Sequence, residues 1–171
     1  MKILTLCSGN VARSVMLAYM LSDLAEAEGR DWRVRSAGTH VIEGQAMSAR
    51  TRRALEAIPE LGDHRYGAHR SHQVSTADVD WADVVLAAEL DHVRFVERLV
   101  VGSTNAVQLG AFVLHAPHGV SLATQLREVA THAFNSRLDV KDPAGGEQAD
   151  YDACARELWR LAQRFVDVAG G

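Results

Sequence analysis

The chain contains few of the residues that mark disulfide-rich, membrane or nucleic-acid-binding proteins. Its 2 cysteines cannot build a disulfide framework, and an active thiol would fit a reducing cytoplasm. Met1 and Lys2 precede only a short apolar run, which is not typical of a signal peptide, and no stretch is long enough to span a bilayer. The formal net charge of −4 argues against nucleic acid or an anionic membrane as the main partner. We therefore expect a cytoplasmic protein that binds neither nucleic acid nor membrane.

The composition favours one compact α/β domain. The 171 residues are 47% hydrophobic and 23% charged, which is ordinary for a globular protein with a sizeable core. Short apolar runs alternate with segments of helical periodicity, the pattern of an α/β fold. The predicted strands are 2–6, 32–36, 83–88 and 106–109, and the predicted helices are 14–28, 48–58, 89–99, 121–134 and 147–168. We expect a single three-layer domain over residues 1–171, with a central four-stranded parallel twisted sheet and helices on both faces.

The most informative segment follows the first predicted strand. Cys7 ends an apolar run, and Arg13 comes six positions later, with Gly9 and Asn10 between them. Glycine and asparagine tolerate the positive φ angles of a loop that wraps around an anion. The N–H groups of such a loop and of the next helix would converge on one phosphate, and Arg13 would hold two of its oxygens. A cysteine there is favoured as the thiolate, so the sequence predicts a phosphate-binding loop that carries a nucleophile.

Three later segments form an ordered pattern with this one. The four motifs are, in order, Cys7-Ser8-Gly9-Asn10-Val11-Ala12-Arg13-Ser14, Ser36-Ala37-Gly38-Thr39, His69 with Gln73, and Asp142-Pro143. Together they resemble the low-molecular-weight protein tyrosine phosphatase family, and the resemblance covers about residues 2–109 and 138–168. It implies a phosphomonoester hydrolase of the protein tyrosine phosphatase type, without cofactor or metal, that forms a cysteinyl-phosphate on a phosphorylated protein or small phosphoester.

The resemblance also implies roles for individual residues. Cys7 would attack phosphorus and Arg13 would clamp the phosphate oxygens. Asp142 would protonate the leaving group and then activate water, because one carboxyl group can serve as acid and then as base. The residues implied in phosphate binding are Ser8, Gly9, Asn10, Val11, Ala12 and Arg13, and those implied in supporting the loop are Ser14, Ser36 and His69.

Two assignments have competitors in the sequence, and the second cysteine has an expected role of its own. Asp139 is a second candidate for the acid, although it lacks an adjoining proline. His72 is a second candidate for the supporting histidine. We favour His69 for that role because His69 precedes Gln73 by the family's interval. Cys154 lies on the apolar stripe of the last predicted helix and is expected to be inert packing.

The chain departs from the family pattern at three places. Ala12 replaces a second cysteine that can protect the nucleophile by a reversible disulfide, so oxidation of Cys7 should proceed to irreversible acids. Val15 replaces the usual proline at the helix start. No tyrosine adjoins Asp142 and no aromatic residue occupies the Val41–Ile42 region, which puts selectivity for phosphotyrosine in question.

The connection over about residues 110–136 is longer than is usual in the family. Within it, Ser121 is a possible helix cap, and an apolar face is predicted for the helix that follows. This helix would either join the core or form a lid or partner surface over the site. The predicted face consists of Leu122, Leu126, Val129 and Ala133.

Competing functions use the same loop. Arsenate reductases that share the fold relay oxidation through further cysteines, which residues 83–100 lack, so only a reductase that uses an external thiol co-substrate stays open. Phosphoarginine-specific relatives carry threonine where this chain has Val11, which argues against that substrate. A non-catalytic phosphate-binding module is the third class.

Overall fold

A computed structural model describes residues 1–62, 64, 66–132 and 135–170. Its centre is one sheet whose described strands all pair in parallel, so the predicted sheet is confirmed. Parallel strands place their carboxyl ends at one edge, where ligands bind in open α/β sheets. The strands are β1 (Lys2–Cys7), β2 (Arg33–Gly38), β3 (Val84–Ala87) and β4 (Ala106–Gln108), in the spatial order β2-β1-β3-β4.

Helices cover both faces of the sheet. They are α1 (Arg13–Ala27), α2 (Ala49–Glu56), α3 (Thr76–Trp81), α4 (Leu90–Leu99), α5 (Leu109–His115), α6 (Leu122–Ala130) and α7 (Gln148–Ala169). Short 3₁₀ turns lie at Tyr66–Ala68 and Ser136–Leu138. In the described ranges, no helix is both long and apolar enough to cross a membrane.

The alternation of side chains along the strands separates two apolar cores. Successive residues of a strand point to opposite faces. Val84 and Leu86 pack with α1, α5 and α7, whereas Val85 of the same strand packs with α3 and α4. All four residues of β3 are buried, which explains why its sequence is a continuous apolar run. The three-layer arrangement is therefore confirmed.

Two helices were not predicted. Helix α3 has only six residues, too few for an apolar repeat to stand out, but Ser75 and Asp78 form a capping box that was visible in the sequence. Helix α5 begins at Leu109, where the predicted fourth strand was continued one residue too far. The other predicted elements are present with shifts of one to a few residues at their ends.

The connection over residues 110–136 contains most of α5 and all of α6. Ser121 caps α6 by accepting from the Thr124 N–H, as expected. The Gln125 amide donates to the Val168 carbonyl at the end of α7, 2.8 Å away, and Val129 is buried in the core. Helix α6 thus packs as a core helix. Residues 133 and 134 of the predicted helix, including Ala133 of its apolar face, lie outside the described residues.

Candidate active site

Cys7 lies at the carboxyl end of β1, and residues 8–12 connect it to α1. The cysteine is 2% exposed. Gly38, the last residue of β2, pairs with Cys7 and supports the loop from below. A Cβ atom on Gly38 would lie 2.4 Å from the Ser8 carbonyl oxygen and 2.9 Å from the Asn10 nitrogen. Only glycine allows the loop to approach the sheet this closely.

The surrounding elements bind the carbonyl oxygens of the loop. In a trans peptide the C=O group and the N–H of the next residue point in opposite directions. When the oxygen is bound to the scaffold, the following N–H therefore faces away from it. Three of these carbonyls accept from backbone N–H groups: Cys7 from Thr39 at 2.9 Å, Ser8 from His40 at 2.9 Å, and Ala12 from Met16 at 2.8 Å. Two accept from side chains: Asn10 from His69 Nε2 at 2.8 Å and Val11 from Thr51 Oγ1 at 2.9 Å.

The N–H groups on the other side of these peptides have no acceptor within the described ranges. No backbone hydrogen bond is donated by residues 8–12, and α1 has no side-chain cap at Ala12. Unpaired backbone donors gathered in one loop at a helix amino end form an anion-binding site. The local backbone is thus arranged for an anion next to Cys7.

A polar network fixes the shape of the loop. Among the described residues, Asn10 alone has a positive φ without being glycine, at 51°. Its Nδ2 donates to Ser14 Oγ at 2.9 Å, and its Oδ1 accepts from the His72 N–H at 2.9 Å. Because Ser14 Oγ accepts from Asn10, its own hydrogen is available for the Cys7 sulfur, 3.0 Å away. Ser14 is therefore placed to stabilise a thiolate.

Arg13 is a buried cation between two carboxylates. Its guanidinium is 2% exposed and donates to the Val140 carbonyl at 3.0 Å, to the Glu89 carboxylate, and to Asp142 Oδ2 at 2.6 Å. Burial disfavours the charge, but the hydrogen bond to Glu89 and the charge of Asp142 outweigh it and raise the pKa of Arg13. The side chain is permanently charged, and it contacts two carboxylates in this structure.

The structure separates the two candidates for the acid. The Asp142 side chain is 41% exposed and contacts Arg13, while its other oxygen accepts from the Ala144 N–H at 3.0 Å. Asp139 instead accepts from the Leu90 N–H at 2.8 Å and from Gln108. Its carboxylate is used at the amino end of α4, and of these two aspartates only Asp142 contacts the guanidinium.

The predicted supporting residues occupy different positions. His69 Nε2 must donate to the Asn10 carbonyl, and burial lowers the pKa of His69, so the neutral ring makes this bond. His72 also contacts Asn10, but through its backbone N–H. Ser36 lies opposite Thr5 in the sheet and lines a cavity of about 180 Å³ that His69 also lines. Within the described part of the chain the Ser36 side chain makes no hydrogen bond.

Sequence reasoning missed two residues of the site, Glu89 and His92. Glu89 follows the carboxyl end of β3 and contacts Arg13. His92 is 3% exposed, and its Nε2 lies 2.9 Å from Ser8 Oγ. Glu89 directly follows the predicted strand 83–88, so the rule that parallel sheets bind ligands beyond their carboxyl ends could have identified it.

The rim of the loop carries little aromatic surface. Ile42 is 73% exposed, and Ala144 brings no ring beside Asp142. One ring near the loop belongs to His40, whose backbone N–H donates to the Ser8 carbonyl. The His40 ring packs edge-on against Phe95 with 5.6 Å between ring centres.

Cys154 has the environment expected of a packing residue. It is buried on α7 next to Leu158, and burial raises the pKa of its thiol to about 12. Both Cys7 and Cys154 are free thiols. Cys154 therefore stays protonated and unreactive near neutral pH.

Known proteins match the chain over nearly its whole length. A family model for the low molecular weight phosphotyrosine protein phosphatases matches residues 2–168. A protein-arginine-phosphatase of Geobacillus stearothermophilus is 30% identical over 167 residues, which are 97% of this chain and 94% of that protein. A low molecular weight phosphotyrosine protein phosphatase of Dictyostelium discoideum is 23% identical over 184 residues, covering 96% and 91% of the two chains.

A solved structure agrees with these relatives. The low molecular weight protein tyrosine phosphatase from T. tengcongensis has a TM-score of 0.77 at 25% identity, and the match covers 97% of both chains. These relatives are phosphatases, so an arsenate reductase on the same fold is not favoured. The chain belongs to the low molecular weight phosphotyrosine protein phosphatase family, whose members are hydrolases that act on phosphorylated proteins.

Proposed function

We propose that this protein removes phosphate from proteins through a cysteinyl-phosphate, with Cys7 as the nucleophile, Arg13 as the phosphate clamp and Asp142 as the acid. One observation carries the proposal. The loop whose N–H groups find no acceptor among the described residues begins at Cys7, which carries the thiol, and ends at Arg13, which carries the guanidinium. A nucleophile, an anion site and a permanent cation are thereby combined in one short segment.

In the first step the Cys7 thiolate attacks phosphorus, and the bond from phosphorus to the leaving oxygen breaks. Asp142 in its acid form gives its proton to that oxygen, so the leaving group departs neutral. The N–H groups of residues 8–12 and the Arg13 guanidinium bind the other phosphate oxygens, on which charge is spread in the transition state. Ser14 donates to the sulfur and holds it as the thiolate.

In the second step water attacks the cysteinyl-phosphate. The Asp142 carboxylate left by the first step takes a proton from that water, the phosphorus–sulfur bond breaks, and Cys7 returns as the thiolate. Inorganic phosphate leaves with the regenerated acid in place. These residues supply the nucleophile, the charge stabilisation and the proton transfers, so the proposed steps need no metal or cofactor.

Glu89 and Asp142 play different parts around Arg13. The Asp142 contact ends on a partly exposed side chain, whereas Glu89 is less exposed and begins the capped turn of α4. We infer that phosphate oxygens replace Asp142 on the guanidinium, which releases the carboxyl group to face the leaving oxygen. Glu89 keeps its bond and fixes the plane of the guanidinium.

The favoured substrate is phosphotyrosine in a protein, and phosphoarginine in a protein is the second candidate. The family match and the Dictyostelium relative favour the first. Two protein-arginine-phosphatases at 30% identity favour the second.

The proposal places the activity in one domain and in the cytoplasm, consistent with the two free thiols. It includes neither nucleic acid nor membrane as a partner, consistent with the net charge of −4.

The substrate test measures phosphate release from a phosphotyrosine peptide and a phosphoarginine peptide, and arsenite formation from arsenate, each with and without added thiol. We expect thiol-independent phosphate release from one of the two peptides. Cys7→Ser should abolish turnover but still bind vanadate, because the loop remains while the alkoxide is not accessible at neutral pH. Residual turnover comparable with the native protein would exclude the covalent mechanism, and thiol-dependent arsenate turnover alone would identify a reductase.

Two isosteric variants test the acid. Asp142→Asn should slow hydrolysis of a tyrosyl phosphate much more than that of p-nitrophenyl phosphate, whose leaving group needs less protonation. Asp139→Asn is the matched control and should slow both esters by a similar factor, because Asp139 supports α4. A leaving-group dependence found in Asp139→Asn instead would transfer the role to that residue.

A further inference from the structure

His92 connects the phosphate loop to the residue that holds Arg13. It lies in the first turn of α4 and is 3% exposed. Its Nε2 is 2.9 Å from Ser8 Oγ, and its Nδ1 is 3.1 Å from the backbone nitrogen of Glu89. Ser8 is the residue after the nucleophile, and Glu89 contacts the Arg13 guanidinium. One imidazole therefore contacts both sides of the site.

The hydrogen-bond pattern allows only one form of this ring. A backbone N–H can only donate, so Nδ1 must accept from Glu89 and carry no hydrogen. Nε2 then carries the proton and donates to Ser8 Oγ. A doubly protonated ring would place its Nδ1–H against the Glu89 N–H. Protonation would therefore break the cap of α4 at the residue that holds Arg13.

The charged groups around the ring come from three segments. Glu89, which caps α4, has its Oε2 3.9 Å from Nε2. Arg13 comes from α1, and Asp139 and Asp142 follow α6. Burial has the largest effect and lowers the pKa of His92. The negative charge of Glu89 raises this pKa, and the positive charge of Arg13 lowers it further. The ring is thus neutral at neutral pH and takes up a proton only under acidic conditions.

We propose that His92 is a positioning residue for the phosphate loop: its neutral Nε2–H tautomer holds Ser8 and the Glu89 backbone together, and its protonation releases both. The inference rests on the proposed function in taking the loop as the phosphate site. It assigns His92 no contact with substrate. Its effect reaches the reaction through the position of the Ser8 peptide and through the carboxylate that orients Arg13.

The kinetic test is kcat/KM for p-nitrophenyl phosphate from about pH 5 to about pH 8. His92→Gln cannot titrate and disturbs the hydrogen bonds to Ser8 and from the Glu89 backbone, so it should lower kcat/KM at neutral pH by about tenfold or more. It should also remove an inflection from the acidic side of the profile. His118→Gln, on an exposed histidine after α5, is the matched control and should keep the native profile. A His92→Gln profile with the native acidic inflection would overturn the proposal.

A second measurement does not depend on turnover. Long-range ¹H–¹⁵N spectra of the native protein, assigned with His92→Gln, should show His92 as the Nε2–H tautomer. Ser8→Ala should shift its Nε2 resonance, and combining Ser8→Ala with His92→Gln should weaken inorganic phosphate binding no further than one change alone. An Nδ1–H tautomer, or losses of phosphate affinity that add in the double variant, would overturn the positioning role of His92 even in an active enzyme. An inactive protein that binds phosphate with the expected tautomer would overturn the proposed function and leave that role intact.

Discussion

Asn10 offers a stability test in which the glycine variant should be more stable than the alanine variant, the reverse of the usual order in a helix. The residue is fully buried, has a φ of 51°, and makes two side-chain hydrogen bonds, to Ser14 and from His72. Replacing it with alanine removes the side-chain bonds and leaves a Cβ atom in the left-handed region. Replacing it with glycine removes the same bonds but leaves the backbone unstrained. The two variants therefore separate the network from the backbone conformation.

The magnitudes follow from these contacts. Two lost hydrogen bonds at about 1 kcal/mol each, with the His72 N–H left without its partner, lower the free energy of unfolding by about 2–3 kcal/mol in both variants. The left-handed conformation costs alanine a further ~1–2 kcal/mol. Glycine loses ~0.4–1 kcal/mol through the greater freedom of its unfolded chain. Asn10→Ala should thus be less stable than Asn10→Gly by about 1 kcal/mol.

The assay is urea unfolding of both variants at neutral pH, followed by circular dichroism. Gln163, exposed in the middle of α7, is the matched control. There the alanine variant should be more stable than the glycine variant by about 1 kcal/mol, because the backbone is helical. If alanine were the more stable substitution at position 10 as well, the loop would not hold a left-handed residue and the site geometry would be wrong.

Three further outcomes follow from the site. Arg13→Lys should lose about two to three orders of magnitude in kcat/KM, because an ammonium cannot reproduce the planar clamp; near-native activity would make Arg13 a structural residue. Peroxide should inactivate the native protein with little recovery in dithiothreitol, whereas Ala12→Cys should recover; full recovery of the native protein would point to another protecting thiol. Burial disfavours the His72 charge, but hydrogen bonds to Asp78 and Glu43 outweigh it and raise the pKa of His72. The stability lost in His72→Gln should therefore be largest below pH 6.5, the ordinary pKa, and shrink as the pH rises through the raised value; a loss that grew with pH would contradict the charged ring.

The sequence predicted the sheet and the long helices because their signals are local. The buried run from Val84 to Ala87 and the repeat along α7 depend on residues close together in the chain. The helix starts at Ser48 and Ser121 were predicted for the same reason. Helix α5 follows β4 without a cap or turn residue, and therefore its beginning carried no signal.

The site was predicted in part. Cys7, Asn10 and Arg13 belong to one segment, and the segment alone suggests an anion site. The partners of these residues come from distant parts of the chain: Glu89 and Asp142 lie 76 and 129 positions from Arg13. No spacing in the sequence distinguishes Asp142 from Asp139 as the residue that reaches the guanidinium.

The amino-acid sequence by itself determined that a strand, a loop with Gly9 and Asn10, and a helix follow one another, with Cys7 at one end of the loop and Arg13 at the other. Only the tertiary structure decided that the loop carbonyls accept from Thr39, His40 and His69, so that the N–H groups of the loop have no acceptor among the described residues. The reason is physical. The φ preferences of a loop are set within a few residues, whereas the direction of each peptide group depends on which donors the packing of distant elements brings to its oxygen.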